Sequence, residues 1–247
     1  MTINMNKKVI FKKRIPEPKE MGKEEMKVFE KMSSDNYQRW MIPLVDDVLE
    51  RTNIKKGAIA DIGCGPGLLS KELASRSVEF RVTGVDISSV ALDMARKNCK
   101  GLSNVLFRYG NVNKLPFQDG TFDIVVCKDG FHHFPSPVRA LREMLRVVKG
   151  GGILYMQDMR RDLPSYLLKR SVPPQNTLQK LQYYSTRASY TKDEIKCLLR
   201  AFPLQHITVK TRIISSVLKQ KYVKKGINLM RLKESFQARY IAVAQKR

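Results

Sequence analysis

Between Glu194 and Glu234 the chain has no acidic residue, while ten lysines and arginines fall in that interval. With no local counter-charge, a surface built from this stretch either attracts polyanions such as nucleic acid, an anionic membrane or phosphorylated molecules, or is simply a solvated basic face. The shortage of acid is wider than that. From 160 to 247 there are twenty cations against four acids, and the whole chain carries a formal net charge of +23. Cysteine is scarce as well. Cys64, Cys99, Cys127 and Cys197 stand alone with no C-x-x-C pair, which argues against a zinc site or a disulfide framework and for a reducing cytosol. No apolar run approaches the roughly 20 residues that a membrane span needs. No apolar signal-peptide core stands near the start. Internal repeats and low-complexity segments are also missing.

What is present begins with an arm. Residues 1–18 hold no acid before Glu17 and carry Lys7, Lys8, Lys12, Lys13 and Arg14. Ile15-Pro16-Glu17-Pro18 is expected to be extended, because a residue before proline is pushed out of the helical region. The arm reads as flexible and basic, and its lysine-rich composition sets it apart from a mitochondrial transit peptide. Two helices follow within 19–55. The first, near 19–31, has Met21, Met26, Phe29 and Met32 close to one face, a packing stripe. Ser34 or Asp35 can cap the second, which runs through Tyr37, Trp40 and Met41 and bends or restarts at Pro43.

From Gly57 onward, apolar runs of strand length alternate with amphipathic stretches of helix length. Strands are expected near 58–62, 80–85, 104–108, 122–127 and 151–157, with helices near 66–75, 88–98 and 136–148. That alternation predicts an α/β fold, a mostly parallel sheet with helices on both faces. Further on, 163–170 reads as a helix, and Thr191 with Glu194 forms a capping box for a helix running to Arg200. Segments 206–215 and 238–244 read as strands, with a basic insertion at 219–233 between them.

The chemistry-bearing stretch is Asp61-Ile62-Gly63-Cys64-Gly65-Pro66-Gly67, where a buried strand runs into a glycine-rich turn and then a helix. A second strand ends in Gly84-Val85-Asp86. An acid about 20 positions after such a turn is placed to accept from ribose hydroxyls. A dinucleotide-binding oxidoreductase would space its glycines as G-x-G-x-x-G. Here they alternate, and Leu68 holds the sixth place. Two further motifs keep order and spacing: Gly110-Asn111-Val112, then Lys128-Asp129-Gly130-Phe131-His132-His133 at the end of the fourth strand.

Together these four motifs closely resemble the class I S-adenosylmethionine-dependent methyltransferases, over about residues 35 to 245. The pattern is similar to their ubiquinone/menaquinone-biosynthesis-like branch, the type 11 methyltransferases. The resemblance implies a Rossmann-like doubly wound sheet ending in an antiparallel strand hairpin. It implies a single domain over 19–247: helices 19–55 over the cofactor, a cofactor-binding core at 56–158, and a basic substrate-side region at 159–247. S-adenosylmethionine would be the cofactor and S-adenosylhomocysteine the product. Asp61, Gly63, Cys64 and Gly65 would meet its methionine end, with Arg39 or Tyr37 reaching there from the helices. Asp86 and Ile87 would hold the ribose, Asn111 and Val112 the adenine. The backbone at Lys128 would lie under the sulfonium. The family commonly has Asp where Asn111 stands; an Asn oxygen can still accept from the adenine amino group, and its amide can also donate. His132, His133 and Asp129 are the candidate bases, and Asp158 and Arg160 can touch substrate. No metal ligands are read. The acceptor is expected to be a small molecule or natural product. The basic C-terminal third keeps RNA or an acidic protein as the alternative, and a cofactor-binding partner subunit with little activity of its own is the other.

Overall fold

The computed structural model describes residues 13–17, 22–163, 174–211 and 238–247. Helices α1 (Lys23–Asp35) and α2 (Tyr37–Thr52) precede strand β1 (Gly57–Ile62). Then follow α3 (Leu68–Arg76), β2 (Phe80–Asp86), α4 (Ser89–Asn98), β3 (Val105–Tyr109) and β4 (Phe122–Lys128). A short 3-10 turn at Phe131–His133 leads to α5 (Pro137–Val147), which runs directly into β5 (Val148–Met159). After α6 (Thr177–Ala188) and α7 (Lys192–Arg200), strands β6 (Leu204–Thr211) and β7 (Arg239–Lys246) close the fold.

Among the described residues the strands form one sheet in the order β3-β2-β1-β4-β5-β7-β6. Pairing from β3 through to β5 is parallel. β7 runs antiparallel to both β5 and β6, which is the expected terminal hairpin. The inner strands are apolar on both faces, as strands covered by helices must be. Ala60, Ile62 and Val125 face one core with α5 and α7, through Leu141, Met144 and Ile195. Ile59, Val82 and Ile124 face the other with α2 and α3, through Leu44, Val48 and Leu73. The chain leaves β1 to one side, for β2 and β3, and returns on the other for β4. That reversal opens a crevice beyond the ends of β1 and β4, the usual ligand position in such sheets.

The turn that opens the crevice needs its glycines. Gly63, Gly65 and Gly67 lie at φ of 71°, 52° and 75°. At Gly67 a Cβ would stand 2.7 Å from Ala95 Cβ and 3.0 Å from Ala95 Cα, so α3 and α4 could not approach as they do. Ser88 caps α4 by accepting from the Ala91 N–H, and the Thr191–Glu194 capping box is formed in full.

Some local expectations change. Ser34 and Asp35 lie in the last turn of α1 rather than capping α2, which starts after Asn36 without a side-chain cap. α2 continues through Pro43, because Met41, Leu44, Val45 and Val48 bury a continuous face that outweighs one missing backbone donor. α6, which pattern reasoning did not foresee, is capped by Asn176 accepting from the Gln179 N–H. The part of the arm that is described, 13–17, is anchored. Arg14 donates to the Ala188 and His132 carbonyls, and the Ile15 N–H donates to Arg187. A cation at the C-terminal end of α6 is well placed. The expected helix at 163–170 lies outside the described residues apart from its first residue, and the basic insertion at 219–233 lies wholly outside them.

Candidate functional site

A cavity of about 620 Å³ occupies the crevice, within the range of small-molecule sites. Its floor is the glycine turn and the ends of β1, β2 and β4. Its apolar wall comes from Met26, Phe29 and Met41 of α1 and α2, with Leu68, Leu69 and Phe134. Met26 and Phe29, expected only to pack, are therefore cavity residues; the Phe29 ring edge lies 4.0 Å from a Cβ built at Gly65.

Asp86 ends β2 and lines the cavity. Its Oδ2 accepts the Gly65 N–H and its Oδ1 the Ser88 N–H, both at 2.9 Å. A carboxylate has about four acceptor positions, so two remain for a ligand diol. The Gly63 and Cys64 N–H groups both donate to the Val85 carbonyl, at 2.8 and 3.0 Å. The amides of the turn thus serve the fold. A pyrophosphate-binding turn instead aims them at its ligand, so the geometry disfavours a dinucleotide. Asp61 is 1% exposed and accepts from Ser70 Oγ at 2.7 Å. Burial pushes its carboxyl up to about 6, against the lowering effect of Ser70 and Lys128.

Ile87, Val112 and Lys128 also line the cavity, as do Gly63, Cys64, Gly65 and Asn111. The side-chain oxygen of Asn111 turns back to accept the Asn113 N–H at 2.9 Å. Asn113 was not singled out by sequence, yet its own Oδ1 is buried with no partner among the described residues. Ser33 Oγ and His132 Nε2 share that condition, and all three residues line this cavity. Buried polar atoms without partners are rare, and a ligand is a common reason for them.

At the far end stand His132 and His133, ring centroids 3.9 Å apart. His132 is 3% exposed. Its Nδ1 lies 2.7 Å from Asp158 Oδ1, and its backbone N–H donates to Asp158 Oδ2 at 2.9 Å. Burial alone would lower the His132 pKa, but the charge and hydrogen bond of Asp158, followed by Glu17, raise it. Asp158 therefore holds His132 rather than substrate. His133 Nδ1 lies 2.6 Å from Glu17 Oε2, and Ser185 Oγ donates to Glu17 Oε1 at 2.8 Å. Glu17 reaches the site from the arm. Its signal in the sequence is its position as the first acid of the chain, set between two prolines.

Asp129 lines the cavity but is committed elsewhere. Lys128 Nζ donates to it at 2.8 Å and Arg239 Nε at 2.9 Å. Burial works against its charge, yet Arg239 and then Lys128 outweigh that and hold the carboxyl far below the usual range. A carboxylate so held is a poor proton acceptor. Arg39 does not line the cavity; it stacks near Trp40 and donates to Asn36. Tyr37 donates to Glu72 at 2.6 Å. Arg160 pairs with Asp162 and donates to Thr211. None of the three lines the cavity: Tyr37 and Arg160 reach partners on neighbouring elements, and Arg39 reaches Asn36 and Trp40 at the start of its own helix.

Comparison with known proteins adds the following. A family profile described as a methyltransferase domain matches residues 60–156. The probable methyltransferase ltbC of Aspergillus luteorubrus is 36% identical over 115 residues, 42% of this chain and 40% of that protein. A ubiquinone biosynthesis O-methyltransferase of Coxiella burnetii is 28% identical over 162 residues, 62% of this chain and 68% of that protein. The matched stretch thus spans less than half the length of the fungal relative. The crystal structure of the plantazolicin methyltransferase BpumL, in complex with a monoazolic desmethylPZN analog and SAH, superposes with a TM-score of 0.67 at 18% identity. That superposition covers 91% of this chain and 90% of the other, and what it shows is a shared fold.

Proposed function

We propose that this chain is a class I S-adenosylmethionine-dependent methyltransferase, as the methyltransferase-domain match over residues 60–156 supports, and that it methylates a small-molecule acceptor held in the crevice beside the cofactor. The observation that carries this is the pairing of a prepared diol acceptor, Asp86, with buried orphan atoms at Ser33, Asn113 and His132 in one cavity. The residues fit the cofactor. Asp86 meets the ribose hydroxyls with its two remaining acceptor positions. Asn113 Oδ1 and Val112 serve the adenine, with Asn111 bracing Asn113 through its backbone. Asp61 and the close-approach turn at Gly63–Gly65 receive the cationic methionine end, and the backbone at Lys128 supports the reacting centre. Bound there, S-adenosylmethionine supplies a methyl carbon already activated by positive sulfur.

The chain's own work is then positioning, which can contribute several kcal/mol, up to roughly ten. Phe29, Met26 and Phe134 exclude water from the cofactor. His132 marks the acceptor end. Asp158 accepts its Nδ1–H and fixes the ring, so the Nε2 lone pair is the group available to activate an acceptor O–H or N–H. His133 is engaged with Glu17, and Asp129 with Lys128 and Arg239, which leaves His132 as the catalytic candidate of the three. No helix among the described residues is long and apolar enough to cross a membrane. All four cysteines are free, which suits a reducing cytoplasm.

The test is transfer of labelled methyl from S-adenosylmethionine into an extract separated into small molecules, RNA and protein. Label in the small-molecule fraction, lost in His132→Ala, is the expected result. Label confined to RNA would overturn the small-molecule reading and make the basic C-terminal third the substrate platform. Label confined to protein would overturn it in favour of an acidic protein substrate.

A further inference from the structure

We infer that Glu17, His132 and His133 form a binding site for one divalent transition cation of the zinc type, set at the acceptor end of the cavity. The inference rests on the methyl-transfer reading of the cavity and specifies how the His132 lone pair is used.

The three residues each place one ligand atom within 4.8 Å of the other two. His133 Nδ1 stands 2.6 Å from Glu17 Oε2, and His132 Nε2 stands 3.9 Å from Glu17 Oε1. Two ligand atoms on a tetrahedral cation, each about 2.0–2.1 Å from it, lie roughly 3.3 Å apart. The observed separations bracket that value, so shifts of about an ångström would seat the ion. Two imidazoles and one carboxylate are a known donor set for zinc sites that keep a position open. All three residues line the cavity, so the open position meets the acceptor.

A second, independent observation points the same way. His132 Nε2 is buried, on a side chain only 2% exposed, and has no hydrogen-bond partner among the described residues. Glu17 Oε1 at 3.9 Å is beyond hydrogen-bond reach. A ring nitrogen left unpaired in a dry site costs free energy unless something binds it. The outer partners are those of a ligating set. Asp158 accepts from the opposite ring nitrogen of His132, and Ser185 Oγ holds the Glu17 oxygen that is not engaged with His133. A cation here would put positive charge where an acceptor hydroxyl or acidic N–H has to give up its proton, so the ligand favoured is an oxygen or nitrogen acid bound as its anion. The proton leaves to solvent, the acceptor atom takes the methyl carbon, and the sulfur keeps the electron pair of the broken bond.

The test uses the full chain, stripped with a chelator and titrated with zinc by calorimetry, and with cobalt as an optical probe. One ion per chain is expected, with a cobalt spectrum of low coordination number. His133→Ala and Glu17→Gln should each weaken zinc at least tenfold, and Asp158→Asn roughly 10–100-fold. His133 and Glu17 are only partly buried, so their replacement is compatible with folding. Magnesium, which prefers an all-oxygen shell, should not compete. Binding of S-adenosylhomocysteine is measured in the same samples. If it persists while zinc fails to bind, or while zinc binding ignores His133→Ala and Glu17→Gln, the metal site is overturned and the methyltransferase reading stands. If wild-type protein binds zinc but not S-adenosylhomocysteine, the metal site stands and the methyltransferase reading falls. Asp86→Ala should keep zinc and lose S-adenosylhomocysteine; loss of zinc there would also count against the site.

Discussion

At the residue scale the site depends on which polar groups the fold has already used. Asp86 holds two backbone amides and keeps acceptor capacity for a ligand; Asp129 is tied to two cations, which hold it ionised and make it a poor proton acceptor. Asp61 lies between these cases. Burial raises its carboxyl to about 6, and the effect has a sign that can be followed. An unfolded aspartate loses its proton near pH 4, the folded one near pH 6. Within that window Asp61 binds more protons in the folded chain than in the unfolded one, so its own contribution to stability rises as pH falls from about 6 to about 4, by up to roughly 3 kcal/mol. Binding of a cationic ligand runs the other way, since it needs the ionised carboxylate. S-adenosylhomocysteine affinity should therefore drop as pH falls below about 6. In Asp61→Asn the affinity should be low at every pH and its pH dependence should flatten. A calorimetric pH series decides this; an unchanged pH dependence in Asp61→Asn would remove Asp61 from the cofactor site.

At the element scale, the start of α7 was legible because its capping group is local, and the Thr191–Glu194 box is formed as its spacing indicates; the start of α6, capped as locally by Asn176, was not. Glu194 also pairs with Arg161, which is 4% exposed, so the start of α7 carries a long-range tie on top of its cap. Thr191→Ala should cost about 1 kcal/mol of stability, read by urea denaturation. A change too small to measure would mean that Arg161 holds that helix start without the cap. The α1–α2 junction was misjudged for the opposite reason. Ser34 and Asp35 have capping chemistry, yet α1 runs through both to end at Asp35, with Met26 and Ser33 buried on its packed face. Packing overrode a local preference worth about 1 kcal/mol.

At the scale of the whole molecule, the loop after β4 is tied to the last strand. Arg239 of β7 reaches Asp129, 110 positions away in sequence, and Lys128 completes the triad. Asp129→Ala would leave two cations buried together and should cost about 3–5 kcal/mol, visible as a large drop in thermal midpoint. Lost methyl transfer at unchanged stability would instead make Asp129 a catalytic group. The α/β alternation, the glycine turn and Asp86 at its strand end were determined by the sequence alone, because each rests on neighbours within one turn or one strand; the pairing of the two terminal strands was implied only by the family resemblance. Periodicity and backbone permission are local properties. The acceptor end was decided only by the tertiary structure. Glu17 meets His133 across 116 positions, Asp158 meets His132 across 26, and Arg239 neutralises Asp129 across 110. No spacing rule carries such contacts. They exist because the sheet order sets β5 beside β4 and β7 on the far side of β5, and because α6 gives the arm a surface to lie on.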